Sequence, residues 1–580
     1  MTGARRKAAG RGWSDRASVG IAALAVAWFV LPVFAEPFAW GSTRDWGYFS
    51  FMEEVTRKSV VEYRQFPLWN PYYFGGAEHL ANPQTTVLSP TTLLTLGFGT
   101  ALGLKLGVLL FAGLGASGMG RLARLLGADV AGSCVAGLMY GCSGWFAQHV
   151  GGGHWGFAAV GIYPWVGWLY LRGLERRSRF VVAALLGAWV ACHWGVYTLP
   201  WLFMVLLVIA AGEAIRARSA APLAWLALLW LATAGLAAVR LLPVLEYVRR
   251  FPRHAVENDR LGLHDMARLF LARHTERRVA GLGWEWPEYG NYIGWAPMAL
   301  LLLGLWAGFQ RKAVLWSGAA IFLALALGDW GSASPWGILR GLPLLGYLRV
   351  PSRYTLPALF FMAPIAGLTW TWLAAAARRR WPAAGAGRWM GLAALAVVAS
   401  IVADPMLFNR RQFEQSFHLP APTDEVSPDF EQRRGDPVRM YAYPRANQGS
   451  VLGLEESPLP LAPGLWIDGG PQHLLALPEG AAAERSGWSP NLIRFRVDTP
   501  VENLLVLNQS YRDGWRAGGK GVVVEPREGL LAVRLPPGVR EVVLRYRPPS
   551  VLIGLGISML TAVILAVWTV RSRFRRERSP

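Results

Sequence analysis

Residues 101–124 read ALGLKLGVLLFAGLGASGMGRLAR, an apolar run over 101–120 that ends on Arg121 and Arg124. A membrane-spanning helix needs about 20 such residues. Lys and Arg collect where a span meets the cytoplasm. Working outward, the same pattern recurs along the chain. Apolar runs at 18–35, 101–120, 130–148, 156–171, 180–197, 200–213, 222–242, 295–310, 313–328, 354–376, 388–404 and 549–570 are twelve candidate spans, and 180–213 can also be drawn otherwise.

The basic residues test that reading. Arg5, Arg6, Lys7 and Arg11 precede the first run, and Arg121 and Arg124 follow the second. Arg172, Arg176, Arg177 and Arg179 follow the fourth; Arg216 and Arg218 the sixth; Arg311 and Lys312 the eighth; Arg378, Arg379 and Arg380 the tenth. Arg571, Arg573, Arg575 and Arg576 come after the last. Every second junction is basic, so both termini are expected in the cytoplasm of a bacterial inner membrane. Val33-Phe34-Ala35 resembles a signal-peptide cleavage site, and cleavage there would leave the later topology unchanged. The first span is read as retained.

Composition agrees. Of 580 residues, 53% are hydrophobic and 16% charged, against about 25% charged in soluble domains. Mean hydropathy is +0.28. The 29 Trp residues suit membrane–water interfaces. The net charge of +21 is scattered in short clusters between apolar runs rather than gathered on one polar face, which argues against a nucleic-acid partner. Cys134, Cys142 and Cys192 all lie in apolar segments, so they form neither a disulfide framework for the external domain nor a zinc signature.

This topology leaves 36–100, 243–294 and 405–548 outside, with shorter turns near 149–155 and 329–353. The segment 405–548 changes character. Leu492, Arg494 and Arg496 alternate with Ile493, Phe495 and Val497, a period of two. Strand-like runs at 503–508, 521–525, 530–535 and 540–546 are punctuated by Asp513-Gly514 and Pro536-Pro537-Gly538. The expected architecture is a polytopic α-helical membrane domain over 1–404, an extracytoplasmic β-sandwich over 405–548, and a final span with a basic tail over 549–580.

Chemistry gathers in the external turns. After an amphipathic stretch at 47–63, the chain reads Phe66-Pro67-Leu68-Trp69-Asn70-Pro71, and later Ala81-Asn82-Pro83-Gln84. Prolines and glycines here exclude a long helix. Trp69, Asn70, His79, Asn82 and Gln84 suit a sugar, because rings stack on aromatic faces and hydroxyls meet amides; the same residues also suit a loop packed on the bundle. Asp45 is the candidate acid–base group, or an ion-pair partner of Arg44. His149 and His154 flank Gly151-Gly152-Gly153, where glycine lets a ligand approach the backbone. Their spacing is no recognised metal pattern, and no metal site is assigned. Arg349 and Arg353 are external arginines, against the positive-inside bias. They either grip a phosphate or pair with acids such as Glu246, Glu285 or Glu288.

Asp45, Pro67-Leu68-Trp69-Asn70-Pro71, Gly75-Gly76, Ala81-Asn82-Pro83-Gln84, Leu241-Leu242-Pro243, Glu288-Tyr289-Gly290-Asn291-Tyr292 and Leu348-Arg349-Val350-Pro351-Ser352-Arg353 together resemble the bacterial YfhO-like membrane protein family. Tyr511-Arg512-Asp513-Gly514-Trp515 and Tyr546-Arg547-Pro548-Pro549 are similar to that family's external end. The resemblance covers most of the chain in the same order. It implies a GT-C type glycosyltransferase, inverting, with a polyprenyl-phosphate sugar donor and an envelope glycan, lipid or polymer as acceptor. It places the catalytic acidic residue of the first outside loop at Asp45. An Asp-x-Asp pair is absent, which leaves a divalent metal cofactor open. Two other readings compete: a lipid or polysaccharide transporter or flippase, which would place ionisable groups inside the spans, and a non-catalytic envelope assembly protein.

Overall fold

The structure, a computed structural model, describes residues 20–577 except 21, 175–177, 253–258, 274–277, 279–280, 343–344, 381–395, 397–399, 401–402, 423–425, 428–429, 437–438, 452–458, 469–471 and 476–480. Among the described residues five helices are long and apolar enough to cross a membrane: Thr100–Leu126, Val130–Gly152, Arg179–Ala217, Pro351–Arg380 and Pro549–Arg571. A sixth is reached if Ala221–Leu236 and Ala238–Arg250, bent by 82° where they meet, count as one. Twelve helices of that length and apolarity are not found among the described residues. The runs at 18–35, 295–310 and 313–328 give shorter apolar helices, Ala22–Phe34, Trp295–Gly304 and Lys312–Ala326. The run at 156–171 divides into a 3₁₀ helix, Trp155–Ile162, and a short α-helix, Tyr163–Gly173. The run at 388–404 lies largely outside the described residues.

The expected spans at 180–197 and 200–213 are two legs of one broken helix, Ser178–Ala217. Straight, it would run about 60 Å, twice the hydrocarbon thickness. Instead the ring of Phe180 meets that of Trp225 at 5.5 Å, although Trp225 follows the far end of the helix closely. The helix therefore doubles back, at Trp194 (φ −173°, ψ 70°). Pro200 lacks the N–H that would bond the carbonyl of Val196. The Tyr347 hydroxyl donates to that carbonyl instead, at 2.5 Å. Helix packing elsewhere depends on small residues: a side chain at Gly132 would collide with the backbone of Gly367, and the reverse also holds.

Outside the spans, the helix Arg44–Val61 is buried over most of its length, so the stretch expected to be amphipathic has little free polar face. The loop 62–91 reaches it through side chains, with Thr56 bonded to His79 at 2.8 Å and Tyr48 to Gln84 at 3.0 Å. The helix's Glu53 carboxylate accepts hydrogen bonds from Thr86 and, at 3.1 Å, from Thr95. Burial pushes this carboxyl up to about 7.

The strands form two four-stranded antiparallel sheets, in the orders Val523–Arg527, Leu530–Leu535, Asn503–Ser510, His473–Leu475 and Trp515–Gly518, Glu541–Tyr546, Leu492–Asp498, Ala482–Ser489. Phe495, Val542 and Leu544 from one sheet and Leu505, Leu531 and Val533 from the other share a single core, a sandwich. The strands at 473–475, 482–489 and 515–518 carried no clear alternation in the sequence. Trp69, from the loop 62–91, is a member of this core. Its ring meets Trp515 at 5.4 Å and Tyr546 at 4.8 Å.

Two outcomes follow. Trp69→Ala empties a large site in the sandwich core, and thermal unfolding in detergent should register a loss of about 3–5 kcal/mol. A carboxyl with a raised folded value stabilises fully below its unfolded value, and that stability is lost as pH rises through the folded one. Thermal stability should therefore fall between about pH 4.5 and about pH 7 by an amount on the order of 3 kcal/mol, and Glu53→Gln should flatten that slope.

Candidate functional site

The site starts at a helix N-terminus. The Thr43 hydroxyl accepts from the Trp46 N–H at 3.1 Å and donates to the carbonyl of Gly152 at 2.8 Å. The first contact caps the helix Arg44–Val61; the second ties that cap to the end of the helix Gly144–Gly152. That second helix ends on Gly153 in the left-handed region, φ +108°. A side chain there would run into the Trp46 backbone and the Asp45 side chain, so only glycine permits this approach. The next residue is His154. Its Nε2 lies 2.9 Å from Asp45 Oδ2.

Behind this pair lies a buried cluster. His154 Nδ1 is 2.9 Å from His149 Nδ1. His154 Nε2 is 3.5 Å from Glu288 Oε1, and His149 Nδ1 is 3.8 Å from Glu288 Oε2. Arg353 donates to both Glu288 oxygens, from Nε at 2.8 Å and from its terminal nitrogen at 2.5 Å. Its guanidinium also sits 4.9 Å from the Phe157 ring centre and 5.3 Å from that of Tyr197. Local structure sets these positions: Val350 takes φ +59°, Pro351 opens a 3₁₀ turn, and the Ser352 hydroxyl bonds the Glu288 carbonyl at 2.8 Å. Burial would raise the Glu288 carboxyl, but Arg353, with the two histidines, holds it well below the usual carboxylate range.

Hydrogen-bond logic orders the protons. With both rings neutral, Nε2–H of His154 donates to Asp45, so its Nδ1 is the acceptor. His149 Nδ1–H then donates to His154. Asp45, His154 and His149 form one directional chain. Side-chain exposure falls along it, from 28% at Asp45 through 16% at His154 to 0% at His149. The group most open to a substrate is Asp45.

His149, His154 and Glu288 each offer a ligand atom within 4.8 Å of one another. Two imidazoles and a carboxylate suit a divalent cation in type. The same atoms already satisfy one another, and Arg353 holds both Glu288 oxygens. A cation would have to replace the histidine–histidine bond and loosen the ion pair.

Four of the residues singled out in the sequence, Asp45, His149, His154 and Arg353, thus meet at one place. The others are elsewhere. Trp69 fills the sandwich core, and the Asn70 side chain accepts from the Tyr72 N–H at 2.9 Å. His79 Nε2 meets the Thr56 hydroxyl at 2.8 Å, and burial lowers its basicity to about 3. Asn82 accepts from the Gln84 N–H at 2.9 Å, and Gln84 accepts from the Tyr48 hydroxyl at 3.0 Å. Buried Arg240 pins this loop through the carbonyls of Leu80, Asn82 and Thr85. Arg349 is half-buried, its guanidinium 5.1 Å from the Trp284 ring centre. In the sequence Glu288 is one of three acids that could pair with the arginines and the first residue of a resemblance motif, and no local pattern marks it as the centre of the cluster.

No family model matches the chain, and no curated protein matches it. Among solved structures it is similar to the arabinofuranosyltransferase AftD from Mycobacteria, with a TM-score of 0.38 and 15% identity over 67% of this chain and 27% of that one. It is also similar to the apo oligosaccharyltransferase of Archaeoglobus fulgidus, with a TM-score of 0.46 and 13% identity over 76% of this chain and 65% of that one. The chain spans little more than a quarter of the first and under two thirds of the second. Likenesses this distant carry no argument about activity.

Removing one partner of a buried ion pair strands the other charge. Glu288→Gln should lower stability by about 3–5 kcal/mol, read as a drop in unfolding temperature in detergent.

Proposed function

We propose that this chain is a GT-C type membrane glycosyltransferase that moves a sugar from a polyprenyl-phosphate donor to a cell-envelope acceptor on the outer face of the bacterial inner membrane. The observation that carries the reading is the Asp45–His154 contact of 2.9 Å, backed by His149 and the Arg353–Glu288 pair at one end of the bundle. The sequence resemblance supplies the donor class.

In this reading the acceptor hydroxyl attacks the anomeric carbon as the carbon–oxygen bond to the donor phosphate breaks. Asp45 takes the hydroxyl proton. His154 fixes one carboxylate oxygen and thereby its orientation. The leaving phosphate carries away the bonding electrons, and Arg353 supplies positive charge on its side. Such a donor needs positioning and charge stabilisation more than an elaborate catalytic set. Bound at His149, His154 and Glu288, a divalent cation would add Lewis-acid charge for the phosphate. In the same reading both chain ends are cytoplasmic and the sandwich holds the acceptor.

Mass spectrometry of envelope glycans tests the assignment, comparing cells with the wild-type protein, cells without it and cells with Asp45→Asn. Loss of one hexose or N-acetylhexosamine in both altered strains, at unchanged protein level, is expected. Transfer should fall by about 100-fold or more. Full glycosylation with Asp45→Asn would refute the role given to this carboxylate.

A further inference from the structure

The sandwich sheet built from Trp515–Gly518, Glu541–Tyr546, Leu492–Asp498 and Ala482–Ser489 has two unlike faces. Ile493, Phe495, Val497, Val542, Leu544 and Tyr546 point into the core. The alternate positions Arg494, Arg545 and Arg516 are exposed. Register brings these together. Arg516 stands directly opposite Arg545. Arg545 pairs with Leu492, so Arg494, two residues on, is its diagonal neighbour on the same face. Arg547 continues the row: its N–H bonds the Gly514 carbonyl at 2.8 Å, and it too is exposed.

Like charges placed directly opposite on adjacent strands destabilise a sheet. Elsewhere the sandwich avoids that cost. Arg534 bonds Glu502 and Glu525 at 2.9 Å each, and Arg540 bonds Asp498 at 2.6 Å. Among the described residues, Arg494, Arg516, Arg545 and Arg547 have no carboxylate at ion-pair distance. The acids in register on this face, Glu541, Glu484 and Asp498, lie beyond Arg494: Glu541 and Glu484 stand opposite Arg496, and Asp498 follows two residues on, so they close the row at its far end.

We propose that this arginine row is a docking surface for an extended polyanion, a glycan chain bearing phosphate or carboxylate groups. Guanidinium forks match those groups in a bidentate fashion. The row has three rungs, Arg547, then Arg545 with Arg516, then Arg494, spaced about 7 Å apart along the strands. A lipid headgroup at the membrane surface would engage the rung nearest the span that begins at Pro549. Repeated anions along a polymer would engage all three. The proposal stands on the sheet alone and does not depend on the glycosyltransferase reading.

The test uses the full chain in phosphatidylcholine nanodiscs with fluorescent polyphosphate as the probe and neutral dextran as the control. Wild-type protein should bind polyphosphate in a salt-sensitive manner and ignore dextran. Arg494→Gln, Arg516→Gln and Arg545→Gln combined should weaken binding by about tenfold or more, whereas Arg534→Gln with Arg540→Gln should leave it unchanged. If the triple variant does not fold, the single substitutions at Arg516 and Arg545 should show the same ordering. Equal binding by the row variants and wild type overturns the proposal, as does equal weakening by both sets. Binding of phosphatidylglycerol vesicles in place of polyphosphate also overturns it, in favour of a membrane contact.

Discussion

A guanidinium taken out of water must meet a matched acceptor, and Arg353 meets Glu288 with two parallel hydrogen bonds. That ion pair ties the 3₁₀ turn Pro351–Tyr354, at the head of a long apolar helix, to the 3₁₀ turn Trp286–Glu288. Both histidines close on the same carboxylate. The geometry of the site follows from it. Arg353 fixes Glu288, Glu288 lies against His149 and His154, and His154 orients Asp45. Without the pair, four segments far apart in sequence would have no common point of reference.

The second constraint is steric. Asp45 reaches His154 because the cap of one helix and the end of another approach across Gly153, bound by the Thr43–Gly152 hydrogen bond. A partly exposed carboxylate at the head of this arrangement can address a substrate while the charges behind it stay dry. The gradient of exposure from Asp45 to His149 is what a proton acceptor backed by a fixed imidazole requires. The loop 62–91 serves the site indirectly: Trp69 fastens it to the sandwich, and Arg240 fastens it to the bundle.

The sequence by itself determined the helical membrane character, through the length of its apolar runs and their basic junctions, and five of the eight sandwich strands, through one period-two alternation and apolar runs punctuated by glycine and proline. Both are local signals read within about 20 residues. It also singled out Asp45, His149, His154 and Arg353, because ionisable side chains are few beside apolar runs and these stand at their ends, close to glycine or proline. Tertiary structure decided the rest. Whether an apolar run makes a full crossing depends on neighbours, as the doubled-back helix at Trp194 and the 82° bend after Leu236 show. Whether Trp69 meets a sugar or a protein core depends on a sandwich more than 400 residues later in the chain. The central place of Glu288 depends on Arg353 and on His149 with His154 arriving from two other segments. Such partnerships are set by packing and desolvation among distant residues, and no window along the chain contains them.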